Sequence, residues 1–167
     1  MLATDRKQVL DICTSEILVP FEGTGPMSED KQFFLAYKDP GPTGLPITIA
    51  WGITFDETGK PIKLGDKWSV ERALSHKATV LSDFLDKLLR SSPGLSKQPS
   101  RRVAAVLSWV YNLGIGNYNK SWFKKVIDAE DWMQAAEECK KWNKAGGKVL
   151  NGLTKRRSTE AAFILMA

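Results

Sequence analysis

The sequence predicts an α+β fold: an N-terminal helix, a small three-stranded antiparallel sheet, and a mostly helical C-terminal lobe. Three observations lead to it. Apolar residues recur at helical spacing near the N-terminus and again over most of the chain beyond Ser69. Between these stretches lie short runs rich in aromatic and β-branched residues. Pro- and Gly-rich segments that no helix tolerates, such as Asp39-Pro-Gly-Pro-Thr-Gly-Leu-Pro46, separate those runs. At 167 residues, 43% hydrophobic and 26% charged, the chain has globular composition and the size of a single domain.

In chain order, Val9, Cys13 and Ile17, with Leu10 and Ile12 alongside, place a helix over residues 5–18, capped by Thr4 or Asp5 and followed by Pro20. Residues 23–32 carry no periodicity and read as a loop. Phe33–Lys38 and Ile47–Thr54 read as strands, and a turn at Asp56–Gly59 leads to a third short run near Ile62–Leu64. Ser69 suits the N-cap of a long helix whose stripe is Ala73, Leu74, Lys77, Val80, Leu81, Phe84, Leu85 and Leu88. After the break at Ser91–Pro99, Val103, Val106, Leu107, Val110 and Tyr111 mark a core helix closed by Gly114. Shorter helices follow over 121–127, 130–142 and 154–165, with Ser121, Asp128 and Thr154 as caps. This order divides the domain into residues 1–66, helix and sheet, and residues 67–167, a linking helix and a helical lobe.

The net charge of +5 and a pI near 9.2 favour an anionic partner, whether nucleic acid, membrane surface or acidic polymer. One His and two Cys cannot build a Cys₂His₂ zinc site, and a Ser-His-Asp triad would need His76, which falls mid-helix. No metal and no cofactor is expected. Cys13 and Cys139 each fall on an apolar helical stripe and are expected as buried free thiols. Trp51, Trp109 and Trp142 are expected to pack, whereas Trp68 and Trp122 fit either packing or sugar stacking. Arg101-Arg102 and Lys155-Arg-Arg157 suit either a nucleic-acid patch or solvated helix faces, and the second reading is favoured. No apolar run approaches the roughly 18 residues of a spanning helix. The polar N-terminus leads to the expectation of synthesis in a cytoplasm without a secretion or anchor signal.

Two carboxylates draw attention. Glu22 follows a helix C-terminus, with Phe21 and Val19 nearby. The negative helix end and apolar neighbours would both raise its pKa, as a general acid requires; the alternative is a solvated loop residue. Asp39 ends a strand before Pro-Gly, a common turn choice by itself. Paired with Glu22 across a cleft it would complete the equipment of glycoside hydrolysis. Thr48, on the next strand, could add a hydroxyl.

These residues, in the order Phe21-Glu-Gly, Ala36-Tyr-Lys-Asp-Pro-Gly and Thr48-Ile-Ala-Trp-Gly52, resemble the phage-type lysozymes, the endolysins of glycoside hydrolase family 24. Val110-Tyr-Asn-Leu-Gly-Ile-Gly116 is similar to that family's aromatic-Asn-Leu/Val-Gly-x-Gly segment. Trp142-Asn-Lys-Ala-Gly-Gly-Lys148, then Leu150-Asn-Gly-Leu-Thr-Lys-Arg-Arg157 and Glu160, is similar to its long and specific ending. The resemblance runs from Ile17 to Ile164. It implies a two-lobed lysozyme-like fold and hydrolysis of the β-1,4 bond between N-acetylmuramic acid and N-acetylglucosamine. Glu22 matches the acid, Asp39 the second carboxylate and Thr48 the threonine of the family's catalytic set. Thr54, Tyr111 and Ser121 fall near sugar-contacting positions. The implied partner is the peptidoglycan glycan strand, approached by a monomer without nucleic acid or stable membrane insertion. The implied route is from host cytoplasm to cell wall after another protein permeabilises the membrane.

The spacing departs from the family's. Sixteen residues separate Glu22 from Asp39 and eight separate Asp39 from Thr48, both more than the family usually has. The extra residues fall in Gly23–Gln32 and Pro40–Pro46, expected as loops on the rim of the cleft. Glu29 and Asp30 thereby become alternative acids, and Ile53 stands where the family usually has a histidine. The resemblance favours inversion, with carboxyl groups roughly 6.5–9.5 Å apart. Two other function classes remain: an inactive peptidoglycan-binding or virion module of the same fold, and a basic helical nucleic-acid binder.

Overall fold

A computed structural model of the chain describes residues 1–38 and 43–166. The N-terminal helical run comprises α1 (Ala3–Ile12), one π-helical turn (Cys13–Leu18) and α2 (Val19–Phe21). The helix starts at Ala3, two residues earlier than expected, with Leu2 as its N-cap; Asp5 lies inside the first turn and accepts from the Leu2 backbone N–H at 3.3 Å, so it is not the cap. The run passes through Pro20 instead of stopping at residue 18. The π turn explains this: the Val19 N–H bonds Thr14 O, five residues back, and the widened turn admits a proline that has no N–H to give. Val9, Cys13 and Ile17 are fully buried, as their spacing predicts.

Residues Glu22–Val80 form one compact unit. It holds β1 (Phe33–Leu35), β2 (Tyr37–Lys38), β3 (Ile47–Thr48) and β4 (Lys67–Ser69). The expected three-stranded sheet is instead two separate antiparallel pairs, β1 with β4 and β2 with β3. The run near Ile62–Leu64 is not a strand; it contributes only the Phe55–Pro61 bridge and one bond from Ile62 N–H to Thr54 O. Pro61 has no donor to extend a ladder. Asp56 folds the preceding residues back by accepting from Thr58 and Lys60 N–H at 2.8 and 2.9 Å. A small core of Phe34, Ile49, Trp51, Ile53, Ile62 and Trp68 fills the unit. Trp68 is thereby settled as a packing residue, and Ile53 supports the unit through apolar burial where a histidine would do so by hydrogen bonding.

The insert Gly23–Gln32, expected as a rim loop outside the core, is mostly exposed but is attached to the sheet and packs one residue against the core. Met27 bridges Phe34, Leu35 N–H bonds Pro26 O at 2.9 Å, and Met27 packs against the small core. Gly25, at φ +67°, lies under the Tyr37 ring, and a Cβ there would fall 2.2 Å from Tyr37 Cε1.

The 22-residue helix α3 (Val70–Ser91) starts in this unit and carries the chain into the other. Ser69 Oγ accepts from Arg72 N–H at 3.1 Å, the expected cap. Ala73, Lys77, Leu81, Leu85 and Leu88 are its buried line, whereas Leu74, expected on the stripe, is exposed.

The second unit joins Met1–Phe21 to Leu81–Ala167. The first helical run therefore belongs with the later helices and not with the sheet, contrary to the expected division at residue 66. Val9, Cys13 and Ile17 share a core with Leu85, Leu88, Val106 and Trp109. After a 3₁₀ turn (Pro93–Lys97) come α4 (Ser100–Leu113), closed by Gly114 at φ +88°, and the unforeseen α5 (Ile115–Lys120). Gly116, Asn117 and Asn119 hide α5 from propensity, and buried Tyr118 anchors it. Next are α6 (Trp122–Asp128), α7 (Trp132–Lys140), a hairpin of β5 (Lys144–Ala145) and β6 (Lys148–Val149), and α8 (Asn151–Leu165). Ser121 caps α6 as expected, but Asp131, not Asp128, caps α7. Thr154 lies inside the first turn of α8, bonding back to Leu150 O, so it is not the cap. Gly146 and Gly147, at φ +55° and +78°, supply the two positive dihedrals of the primed hairpin turn. Trp122 is exposed, whereas Trp109 is fully buried, with the Phe123 and Trp142 rings 4.9 and 5.0 Å from its own.

The arginines of the tail motif are neither a patch nor a solvated face. Arg156, Arg157 and Glu160 are all buried. Arg156 Nε donates to Glu160 Oε1 at 3.1 Å and its Nη2 to Ser108 O at 3.1 Å; Ser108 Oγ donates to Glu160 Oε1 at 2.6 Å. Arg157 stands 3.1 Å from Glu160 Oε2 and donates to Asn112 Oδ1 at 2.7 Å. Burial pushes the Arg157 guanidinium down and Glu160 opposes it. Burial, then the Glu160 carboxylate, push the Cys139 thiol well up, which leaves it unreactive. Arg102 is likewise buried, donating to Ile164 O at 2.7 Å.

Two stability predictions follow from these contacts. Glu160→Ala strands two buried guanidinium groups and is expected to cost about 3–5 kcal/mol in urea unfolding. Gly25→Ala combines a positive φ with collision against Tyr37 and is expected to cost about 1–3 kcal/mol in the same measurement. A Gly25→Ala protein as stable as wild type would show that the insert does not pack on β2.

Candidate active site

Glu22 is the first residue after α2, and no strand or helix holds it. Its side chain is 18% exposed, the partial burial that separates it from a solvated loop carboxylate. The surroundings are not simply apolar, as the sequence suggested. Glu22 Oε2 forms an ion pair with Lys77 Nζ, whose side chain is 0% exposed. The same ammonium donates to Trp51 O at 2.8 Å. Sequence reasoning assigned Lys77 only a place on the apolar stripe of the long helix. A lysine in that line was the available signal, since lysine is almost never fully buried without a partner.

The Trp51 carbonyl sits at the apex of a tight turn. Ile49 and Ile53 exchange N–H···O bonds of 2.9 and 3.0 Å across it, and Ala50 and Gly52 take φ of +50° and +76°. Trp51 itself is anchored by its ring, edge-on to Phe34 at 4.9 Å.

The alternative acids Glu29 and Asp30 lie in the insert and are both exposed. Asp30 is held below the usual carboxylate range by the Ser28 hydroxyl, at 2.6 Å, and the Gln32 N–H, at 3.1 Å. Those bonds favour its ionised form. Glu57 is brought to about 2 by its hydrogen bonds from Arg72.

Asp39 lies outside the described residues. Thr48 is buried on β3, directly across from Tyr37 on β2. Its hydroxyl donates to Pro46 O at 3.2 Å, so the oxygen is left to accept a hydrogen bond from water. Thr54 is in the same unit, in a shallow apolar depression with Leu45, Ile47, Phe55 and Ile62. Tyr111 and Ser121 belong to the helical unit. The Tyr111 ring packs edge-on against Phe84 at 5.4 Å. Ser121 Oγ donates to Tyr118 O at 2.7 Å and accepts from Lys124 N–H at 3.1 Å, so this hydroxyl is committed to the α6 cap. No metal-binding cluster of His, Cys, Asp and Glu occurs among the described residues, and no helix there is long and apolar enough to cross a membrane.

Comparison with known proteins bears on the fold and the family. Residues 34–160 match the phage lysozyme family. The endolysin of Bacillus phage B103 is 33% identical over 124 residues, which are 74% of this chain and 45% of that protein, so the chain spans less than half of that relative. The SAR-endolysin of Enterobacteria phage PA-2 is 29% identical over 146 residues, 85% of this chain and 82% of that one. Among solved structures, an endolysin from Escherichia coli O157:H7 phage FAHEc1 superposes with a TM-score of 0.73 at 28% identity, covering 95% of this chain and 91% of that chain. The active form of the P1 phage endolysin shares the fold, with a TM-score of 0.70 at 16% identity over 96% and 93% of the two chains. The chain belongs to the phage lysozyme family. It is accordingly a glycoside hydrolase of the endolysin class, and the match includes Asp39 and Thr48 while starting downstream of Glu22.

Proposed function

We propose that the chain hydrolyses the β-1,4 bond between N-acetylmuramic acid and N-acetylglucosamine in bacterial peptidoglycan, with Glu22 as general acid, Asp39 as the second carboxylate and Thr48 as a water-orienting hydroxyl. The observation that supports this assignment is the half-buried Glu22, paired with a buried cation, beside alternatives that are exposed. Glu22 passes its proton to the glycosidic oxygen as the bond to the anomeric carbon breaks. Asp39 takes a proton from the attacking water, or stabilises the oxocarbenium-like state. Thr48, its own proton bonded to Pro46 O, accepts from that water and fixes its direction. Thr54 and Tyr111 are the proposed sugar contacts, and Ser121 keeps its capping role.

The whole chain acts as one lysozyme-like domain in this reading. It works at the cell wall, which it reaches once another protein has permeabilised the membrane. Net positive charge lengthens its stay on an anionic envelope. Burial of Arg102, Arg156 and Arg157 removes most of the basis for a nucleic-acid surface.

Two measurements test the reading. Glu22→Gln is expected to lower lysis of permeabilised Gram-negative cells, read as turbidity, by about 10²–10⁴-fold. Circular dichroism is expected to stay native. Lysis within a few-fold of wild type would remove Glu22 from the acid role, and a wild-type protein that binds walls without releasing reducing ends would mark an inactive module. Asp39→Asn is expected to be severe, whereas Thr48→Ala forfeits one hydrogen bond of roughly 0.5–1.5 kcal/mol. The reverse order of damage would exchange their roles.

A further inference from the structure

We infer that Lys77 is the positioning residue of the general acid: its buried ammonium fixes the Glu22 carboxyl against the Trp51 turn and faces the negative charge left when the proton departs. The inference rests on the reading of Glu22 as the acid.

Three observations lead to it. Lys77 lies on α3 between Ala73 and Leu81, in a line that is otherwise apolar, and its side chain is 0% exposed. An apolar side chain would meet the packing requirement there with no charge to compensate. Its ammonium bonds groups on two other segments, among them the Trp51 carbonyl at 2.8 Å and Glu22 Oε2. Glu22 follows the last helical residue and precedes the insert, so no regular backbone hydrogen bonding orients it. The turn at Trp51 is rigid, the lysine head is pinned to it, and the carboxyl is pinned to the lysine.

The chemistry uses the same arrangement. A proton moves from a Glu22 Oε to the glycosidic oxygen, and the bond from that oxygen to the anomeric carbon breaks. The water oxygen bonds to that carbon, and its proton goes to Asp39. Lys77 keeps all three of its protons. Charge grows on Glu22 during the step, and a preoriented cation in a water-poor site stabilises it without reorganising. Because Lys77 is fully buried it does not reach the substrate, which predicts an effect on kcat and not on KM.

The test is a double-mutant cycle on hydrolysis of solubilised glycan strands, followed by new reducing ends. Lys77→Gln removes the charge but can still donate to the Trp51 carbonyl. Misplacement of a catalytic group by about 1 Å costs up to about 10²-fold, so kcat is expected to fall between about 10- and 100-fold with KM within about twofold. Lys77→Arg, which restores the charge, is expected to recover part of the loss. In the Glu22→Gln background, Lys77→Gln is expected to change residual activity less than about twofold, because effects of residues that act as a unit do not add. Should Lys77→Gln fail to fold, Lys77→Met carries the same cycle. A wild-type kcat in the folded variant, or an equal loss with and without Glu22, overturns the inference and leaves Lys77 a structural residue. Wild-type activity in Glu22→Gln alone would instead overturn the assignment of the acid.

Discussion

A cation withdrawn from water must be met by an anion and by acceptors for its protons, and each unit of this protein is arranged around that requirement. In the helical unit, Glu160 lies between Arg156 and Arg157, with Ser108 of α4 accepting from Arg156 and Asn112 of α4 accepting from Arg157. In the sheet unit, Lys77 reaches Glu22 and the Trp51 carbonyl. Such groups add little net stability over apolar packing of the same volume, but removing one partner is costly. Here they lock directions: α8 cannot slide along α4 without breaking the guanidinium bonds.

The requirement also accounts for where chemistry resides. In the helical unit Arg156, Arg157 and Glu160 pair with one another, and buried Arg102 donates to the Ile164 carbonyl and to Gln98. The sheet unit pairs its buried cation with a carboxylate that is still partly open to solvent. A site that keeps one member of a buried pair accessible has the means to exchange a proton with something bound there. The small apolar core beneath it, including Ile53, serves as a platform that needs no polar support.

Much of this was legible from residue spacing. The α4 helix with its Gly114 close, the Ser69 and Ser121 caps, the buried cysteines and the lysozyme-like ending are all local patterns, and the structure contains each of them. The errors of strand pairing and lobe membership share one cause, because both depend on partners distant in sequence. Lys67–Ser69 was read only as a helix start, yet it is the partner strand of β1. The insert looked like loop because Gly25 and Pro26 break periodicity, while its attachment comes from the Tyr37 ring and the backbone of Phe33 and Leu35.

By itself, then, the sequence determined the α+β class, most of the helical stripes and the family, since each is written in spacings of a few residues or in a contiguous motif. Only the tertiary structure decided which charges are buried and with whom. Arg156 and Arg157 read as surface and Lys77 as part of a stripe, because burial depends on which other segments close over a residue. Glu22 was singled out from its neighbours along the chain. Its orienting partner is 55 residues away, and only the folded chain brings the two together.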